Sequence, residues 1–526
     1  MDDSQSILVI AAARLYFLLV ALVFYLGNVF KDRRRVPPIT DPLLMISATQ
    51  AVRRIAQREI TSLQLVEAYI RRIEQVNDII NAAVVLNFSE ARDKAIETDQ
   101  RIASLDSHRI KELLKRKPLL GIPYTCKDAI AIKGKEITCG IFDQIGAKCA
   151  TSAEVIRRMD AAGAILLAIT NVPEVCMCME TTNGIYGRTN NPYDGRRSAG
   201  GSSGGEGALI GAAGSLIGIG SDIGGSIRIP AFMNGIFGMK NTPGVIPLEG
   251  HIPEARDYQK QMLKIGPMCR YVEDIPLLIK VMGGDCVPPL RLHDPVDFKK
   301  IRLLYMEGIR NAPSVEPLSA DMKSTLLKAV EHFETKYDIE AIRLDFPLFA
   351  KSFDIEFVSL QARDEPKMGD YLLSIRGNKG YLNGFAEMPK LLAGTSNHSA
   401  GGVLYSMLES INKTTEEEKA EILRLRERLV RQLAEVLRND GILMFPSWPQ
   451  TAPFHNQSLF TLFNITYTSI FNALTFPVIQ CPMGLDDNGL PLGIQVVAGR
   501  HCDRLLISAA KEISSAFGGW IPPWTR

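Results

Sequence analysis

Residues 198–232, SAGGSSGGEGALIGAAGSLIGIGSDIGGSIRIPAF, set the tightest limits on what this chain can become. Two glycine-dense turns, 200–205 and 218–226, flank one apolar segment. Glycine lets a backbone approach a ligand closely and take conformations that other residues resist, and successive amides in such a turn converge on an anion. A flexible Gly/Ser linker does not account for the stretch, because residues 208–219 are too apolar for a solvated tether. A nucleotide-phosphate cradle fits no better: no GxxxxGK[ST] is present, and neither turn reads as GxGxxG after a strand. The remaining reading is a serine nucleophile facing an oxyanion hole.

That reading offers more than one serine. Ser202 and Ser203 both satisfy GxSxG, the nucleophile elbow of α/β-hydrolases. The elbow needs a strand immediately before it, and Asn190-Asn191-Pro192-Tyr193-Asp194-Gly195-Arg196-Arg197 cannot be a core strand. His455 or His501 would have to complete such a triad, and neither sits in a recognisable context. Ser226 instead follows the turn Ile223-Gly224-Gly225 directly.

Around this stretch, helix and strand signals alternate. Thr61-Ser62-Leu63-Gln64 has capping-box spacing, and Val66, Tyr69, Ile70, Ile73 and Val76 repeat at helical intervals after it. Residues 81–86 predict a short buried strand, and residues 119–125 a strand edge that leads to Lys127. Residues 154–161 predict a helix stopped by Gly163, and residues 164–169 a buried strand. Thr414-x-x-Glu417 predicts the cap of a helix with Ile422, Leu425, Leu429, Leu433 and Val436 on one face. Asp440-Gly441 then turns into a strand at 442–445. Such alternation predicts an α/β fold with a largely buried sheet. No repeat, low-complexity stretch or second linker appears after about residue 41, so one globular unit is expected.

The N-terminus is the compositional exception. Residues 7–30 are almost wholly apolar and long enough to cross a bilayer. Arg14 is the sole charge there. A central Arg costs roughly 2.5–3.5 kcal/mol and each Leu, Ile, Val or Phe returns about 0.3–0.6 kcal/mol. The fifteen such residues outweigh one off-centre Arg, which can snorkel. Acidic Asp2 and Asp3 precede the run, and Lys31, Arg33, Arg34 and Arg35 follow it, the reverse of a cleaved signal peptide. The expected layout is an anchor at 1–35, a linker at 36–44 and a catalytic domain at 45–526. The basic cluster places the body on the cytoplasmic side of a single-pass anchor. Five Asn-x-Ser/Thr sequons, at Asn87, Asn397, Asn412, Asn456 and Asn464, would suit a luminal body instead.

Composition removes other functions. A net charge of +2 offers no strong field for nucleic acid. The seven histidines are scattered, and no HExxH or CxxC occurs, so a zinc site has no support. The nine cysteines lie mostly in apolar stretches, as at Cys126, Cys269 and Cys481, and read as buried thiols rather than a disulfide framework.

Several motifs together resemble the amidase-signature family. The match at 200–230 is joined by Gly121-Ile122-Pro123-Tyr124-Thr125-Cys126-Lys127-Asp128, similar to the family's lysine segment. Thr170-Asn171-Val172-Pro173-Glu174 and Thr189-Asn190-Asn191-Pro192-Tyr193 resemble its loops. Asn472-Ala473-Leu474-Thr475-Phe476-Pro477 and residues 491–497 resemble its C-terminal strands. The resemblance runs from about residue 45 to the end. The N-terminal anchor, Gly-Gly-Glu after the paired serines and the ending Phe517-Gly518-Gly519-Trp520 resemble the branch that cleaves fatty acyl amides.

The resemblance implies a central mixed β-sheet covered by helices on both faces. It implies Lys127 as base, Ser202 as a bridging serine held by a cis peptide bond, and Ser226 as nucleophile. The amides of Ile223, Gly224, Gly225 and Ser226 are the implied oxyanion hole, and Arg228 falls where the family has an arginine near the triad. No metal or cofactor is implied. Lysine is a base only when neutral, so its pKa of about 10.4 must fall by roughly three units, or about 4 kcal/mol, which burial can supply. Asp128 would oppose that shift if it faced Lys127, but neighbours on an extended strand point to opposite faces. For Ser203 two readings stay open, turn support or space filling. Asp222 is expected to satisfy local amides rather than to act as an acid.

The implied substrate is a long-chain fatty acyl amide drawn from a membrane. Within Val175-Cys176-Met177-Cys178-Met179, Met177 and Met179 are substrate-binding candidates, with core packing an equal reading. Residues 366–408, with Tyr371, Leu372, Leu373, Tyr381, Leu382, Phe385 and Met388, form either a membrane-facing mouth or a divergent surface. Rival functions are a short-chain or aryl amidase, a tRNA-linked amidotransferase subunit and a catalytically idle membrane scaffold. Expected partners are a small lipid amide and the membrane, not nucleic acid; nothing in the sequence decides whether the chain pairs as a homodimer.

Overall fold

Alternating apolar residues on the central strands feed the two largest of five apolar clusters, one on each face of the sheet. In the computed structural model, which describes residues 3–362 and 365–525, eleven strands form one sheet. They are β1 (Ala83–Leu86), β2 (Pro123–Lys127), β3 (Ile165–Thr170), β6 (Ile217–Asp222), β7 (Phe237–Lys240), β8 (Lys264–Cys269), β9 (Arg302–Tyr305), β10 (Ala341–Arg343), β11 (Gly441–Pro446), β12 (Val478–Leu485) and β13 (Pro491–Ala498). A separate hairpin pairs β4 (Thr182–Asn183) with β5 (Gly187–Arg188). The order across the sheet is β1-β3-β2-β6-β8-β7-β12-β13-β11-β9-β10. It is mixed: β3, β2 and β6 run parallel, as do β11, β9 and β10, and antiparallel pairings join the two groups.

Side chains of a strand point alternately to opposite faces, and here both faces are covered. On β11, Ile442 and Met444 join one core while Leu443 and Phe445 join the other. The first core receives Leu505, Leu506, Ala509 and Ile513 from the helix Asp503–Phe517, and Leu326, Ala329, Val330 and Phe333 from Ala320–Tyr337. The second receives Leu429, Leu433 and Leu437 from Glu416–Leu437, and Tyr467, Ile470 and Phe471 from Thr466–Ala473. This is the two-faced α/β architecture expected from the sequence.

Local signals were read well, with one exception. Thr61 and Gln64 form a reciprocal capping box at the start of Ser62–Ile80. The helix Glu154–Ala161 ends before Gly163, which takes φ +83°. The expected cap at Thr414-x-x-Glu417 is one residue out of register: Thr415 and Glu418 form the box instead. The run Thr414-Thr415-Glu416-Glu417-Glu418 carries the motif twice, and the Thr414 hydroxyl is taken by Asn412 Oδ1 at 2.5 Å. All nine cysteines are free thiols.

The N-terminal helix, Asp3–Asn28, contains the one segment among the described residues long and apolar enough to cross a membrane, Leu8–Asn28, with mean hydropathy 2.3. Leu8, Leu15, Leu18 and Val23 are exposed along it. Its near side touches the body, where Tyr16 donates to the Phe460 carbonyl at 2.9 Å and Phe24 meets Phe460 edge-on. The following segment is tied down: Val36 is buried and donates to the Pro192 carbonyl, and Arg72 donates to the Pro37 carbonyl at 2.8 Å.

Candidate active site

Two parallel neighbours, β2 and β6, end side by side, and their C-terminal ends carry the polar groups. Lys127 is the last residue of β2; Ser221 and Asp222 close β6. The turn Ile223-Gly224-Gly225-Ser226 leads from there into the short helix Arg228–Met233. Ser202 arrives from a separate loop, just ahead of the helix Gly204–Gly211, and its peptide bond to Gly201 is cis. That helix packs close because Gly205 lies against the Asn171 backbone, where any side chain would collide. Gly225 takes φ +123° with Thr468 hard against its Cα, so only glycine fits.

Lys127 is fully buried and stands 2.7 Å from Ser202 Oγ, 3.0 Å from Ser221 Oγ and 3.4 Å from the Ser221 carbonyl. Burial lowers its pKa by penalising the ammonium form. The adjacent Asp128 does not counter this. Its carboxylate accepts from the Thr138 amide at 2.9 Å and the Thr138 hydroxyl at 2.5 Å, and burial raises its pKa to about 8. Glu206, held by the Thr125 and Thr170 hydroxyls, is likewise raised by burial to about 8. Burial thus favours the neutral form of both acids next to the lysine.

Asp222 is the ionised carboxylate of the site. It forms a fully buried pair with Arg228 at 3.0 Å and accepts from the Gly225 and Ile227 amides and from Asn472. Its pKa is lowered despite burial, because Arg228 stands against it. It acts as the expected amide acceptor. Arg228 also reaches Gln495 and the Thr468 carbonyl, each at 2.9 Å, and so fastens the turn to β13 and to Thr466–Ala473.

The glycine turn divides its amides. The Gly225 N–H is spent on Asp222 Oδ1 at 2.8 Å, so one of the four expected oxyanion donors points into the protein here. Among the described residues, the N–H groups of Ile223, Gly224 and Ser226 make no hydrogen bond. Ser203 supports the turn: its amide donates to the Ser226 carbonyl at 3.1 Å, and its hydroxyl meets the Ser221 backbone.

Ser226 itself is half-buried, at the meeting point of two cavities. The first, of about 360 Å³, opens past Ser202, His251, Glu254, Gln259, Glu365 and Glu409. The second, of about 110 Å³, is a narrow apolar chamber walled by Met177, Met179, Phe353, Phe357, Leu404 and Leu462. Met177 is half-buried and Met179 buried against the chamber. Val175 and Cys176 adopt φ +55° and +60°, an uncommon conformation for side-chain-bearing residues, and Cys176 lines both cavities. The segment 366–408 lies over these cavities: Met368 and Tyr371 line the first, and Leu404 and Leu408 the second. Phe385 and Leu392 face outward from it.

Sequence reasoning missed Ser221 and His251. His251 Nε2 lies 2.9 Å from Ser221 Oγ and its Nδ1 lies 2.8 Å from the Pro253 carbonyl. Burial lowers its pKa to about 4, so the ring is neutral; Nδ1–H donates to Pro253, leaving Nε2 to accept from Ser221. No local pattern marks a histidine 30 residues beyond Ser221 in a loop as its partner. The histidines considered for an elbow triad lie elsewhere. His455 has both ring nitrogens occupied, by Glu180 at 2.6 Å and by the Gly195 carbonyl at 3.2 Å.

Known proteins resemble this chain in sequence and in fold. The amidase family pattern matches residues 64–507. Fatty-acid amide hydrolase 2-A of Danio rerio is 40% identical over 493 residues, which span 93% of this chain and 92% of that protein. Fatty-acid amide hydrolase 2 of Homo sapiens is 38% identical over 520 residues, spanning 96% of this chain and 97% of that protein. A solved structure described as a fatty acid amide hydrolase shares the fold, with TM-score 0.75 at 21% identity, covering 99% of this chain and 97% of that one. With two parallel strands presenting a buried lysine and a glycine-rich serine turn, and with the family pattern running through every strand of the sheet, this chain belongs to the amidase signature family of hydrolases.

Proposed function

We propose that this chain hydrolyses long-chain fatty acyl amides to the free fatty acid and amine through an acyl-Ser226 intermediate, working from a membrane anchor. The observation that carries the reading is a fully buried Lys127 within 2.7 Å of Ser202 Oγ, beside a half-buried Ser226 that opens onto an apolar chamber. The names of the relatives from Danio rerio and Homo sapiens support the acyl class.

The hydrogen-bond pattern supports neutral Lys127 as base. A neutral amine has two N–H bonds and one lone pair. The two N–H bonds fit Ser221 Oγ and the Ser221 carbonyl, while the Ser221 hydroxyl donates onward to His251 Nε2. The lone pair is then left facing the Ser202 hydroxyl. Ser202 gives its proton to Lys127 and takes one from Ser226 as Ser226 Oγ bonds to the substrate carbonyl carbon. The oxyanion settles on the amides of Ile223, Gly224 and Ser226, each such donor typically worth about 2.7–4 kcal/mol. The proton returns along the same path to the amine nitrogen as the C–N bond breaks. Water then attacks the acyl ester, its proton again passing to the lysine, and the fatty acid leaves with Ser226 restored.

In this reading residues 1–35 anchor a single catalytic domain, 45–526, through a connecting segment at 36–44. The basic cluster Lys31, Arg33, Arg34 and Arg35 keeps the body on the cytoplasmic side. The test is labelling with a lipid fluorophosphonate and mapping of the modified peptide, alongside rates for amides of long and short acyl chains. A label on Ser226 with faster turnover of the long chain is expected. A label on Ser202 or Ser203 would replace the nucleophile, and faster turnover of the short chain would make the protein a short-chain or aryl amidase.

A further inference from the structure

Buried carboxyl groups in proteins have hydrogen-bond partners, because an unpaired one loses its hydration without return. Among the described residues this protein follows that rule at Asp128, Glu174, Glu180, Glu206 and Asp222, each of which accepts from named donors. Glu356 breaks it. It lies on the helix Ser352–Leu360, is only 5% exposed, and makes no hydrogen bond among the described residues. Among those residues the Ser469 hydroxyl is the one donor beside it and acts to lower its pKa, but it makes no hydrogen bond of ordinary length and has no other partner.

The position of Glu356 makes the exception informative. It lines the apolar chamber together with Ser226, Met179, Phe353 and Leu462. Its Oε1 stands over the glycine turn, so close that a methyl group on Gly224 would lie 2.8 Å from it. The Gly224 amide is one of the three that face the substrate oxygen in the reading above. The carboxyl therefore sits beside the carbons next to the substrate carbonyl, not at the far end of the chain. Among the described residues no cation is paired with it, and an apolar chamber does not favour bringing one in. A neutral group that both donates and accepts suits it best.

Resting on the fatty acyl amide reading, we propose that Glu356 is a specificity-determining residue. Its carboxyl hydrogen-bonds a hydroxyl on the second or third carbon of the acyl chain, so the preferred substrates are hydroxyacyl amides. Burial raises the Glu356 pKa to about 8, so near pH 7 the group is a neutral carboxylic acid, able to donate through its O–H and accept through its carbonyl. A plain acyl chain leaves that acid unpaired. A site built to hydrogen-bond a hydroxyl discriminates strongly against the analogue that lacks it.

The experiment compares the full-length wild type with Glu356→Gln and Glu356→Leu. The substrates are two amides of one chain length, one plain and one carrying a 3-hydroxyl, with kcat and KM measured separately. The wild type is expected to favour the hydroxylated amide by roughly tenfold in kcat/KM, the size of one hydrogen bond to a buried group. Glu356→Gln, which also donates and accepts, keeps most of that preference. Glu356→Leu loses it, with the plain amide hydrolysed at least as well as before. Equal kcat/KM for the two amides in the wild type overturns the proposal and leaves fatty amide hydrolysis standing. A preference that survives in Glu356→Leu also overturns it. Failure of the wild type on both amides, while a short-chain amide is turned over, overturns the fatty acyl reading and this one with it.

Discussion

The Lys127 end of the site and the helical wall of the apolar chamber are built on opposite plans. Lys127, Ser202, Ser221 and Asp222 are buried, and each is hydrogen-bonded to a residue of β2, β6 or the glycine turn. The wall opposite comes from helices that lie outside the sheet, Ser352–Leu360 and Ala400–Ile411, and meets the cavity through Phe353, Phe357, Leu404 and Leu408. Ile411, at the end of the second of these helices, does not line the chamber and is exposed. Under the proposed function, the contrast teaches that the chemistry is held by backbone and hydrogen bonds that accept no change, whereas substrate fit is held by apolar contact that can be retuned. Rate for every substrate should therefore depend on the first region, and preference among substrates on the second.

The strongest way to test that division is Ser226→Ala. It should remove fluorophosphonate labelling and lower amide turnover by about 10⁶-fold, the scale of losing a nucleophile. Retained labelling would dissolve the contrast, since the nucleophile would then lie outside the rigid region. Lys127→Ala should slow amide hydrolysis by roughly 10⁴-fold, because nucleophile activation and leaving-group protonation fail together. Esters need less leaving-group protonation, so their rates should fall less and the ester-to-amide ratio should rise. The wild-type pH profile belongs to the same test. Burial lowers the Lys127 pKa and only the neutral amine accepts a proton, so kcat/KM should climb as pH rises through that lowered value. Lys127→Ala should lose that limb of the profile.

Asp222→Ala bears on stability. It leaves Arg228 charged and unpaired inside the protein, which costs about 3–5 kcal/mol and should appear as a lower midpoint in denaturant unfolding. A change below about 1 kcal/mol would mean the turn does not depend on that pair. The smallest effect is expected on the helical wall. Phe357→Ala should raise KM for a long-chain amide by roughly tenfold, in line with 1–3 kcal/mol for apolar fit in a pocket, and leave kcat for a short-chain amide unchanged. An equal loss for both chain lengths would place Phe357 with the catalytic framework instead.

How far the fold could be read depended on whether the signal was local. The capping box at Thr61 and Gln64, the Gly163 stop and the strands expected at 81–86, 119–125 and 164–169 came from patterns a few residues long; the structure keeps them, with the second strand starting at Pro123, four residues later than expected. The cap at Thr415 was misplaced by one residue because two overlapping registers share the same residues, and only the Asn412 side chain chooses between them. In the site, Lys127, Ser202 and Ser226 were legible as motif positions. The Ser221–His251 contact and the diversion of the Gly225 amide to Asp222 were not. Both depend on groups brought together by the loop after β7 and by the pitch of one turn, which residue spacing does not encode.

The sequence by itself determined the α/β alternation, the apolar N-terminal segment, the glycine turns and the family, because each is written in residue type and short-range order. The tertiary structure decided which groups surround Lys127, which turn amides remain free, where the apolar chamber runs and that Glu356 lines it. The physical reason is the same in each case. Hydrogen-bond direction and burial are properties of groups far apart in the chain: Lys127 meets Ser221 across 94 residues, and Arg228 reaches Gln495 across 267.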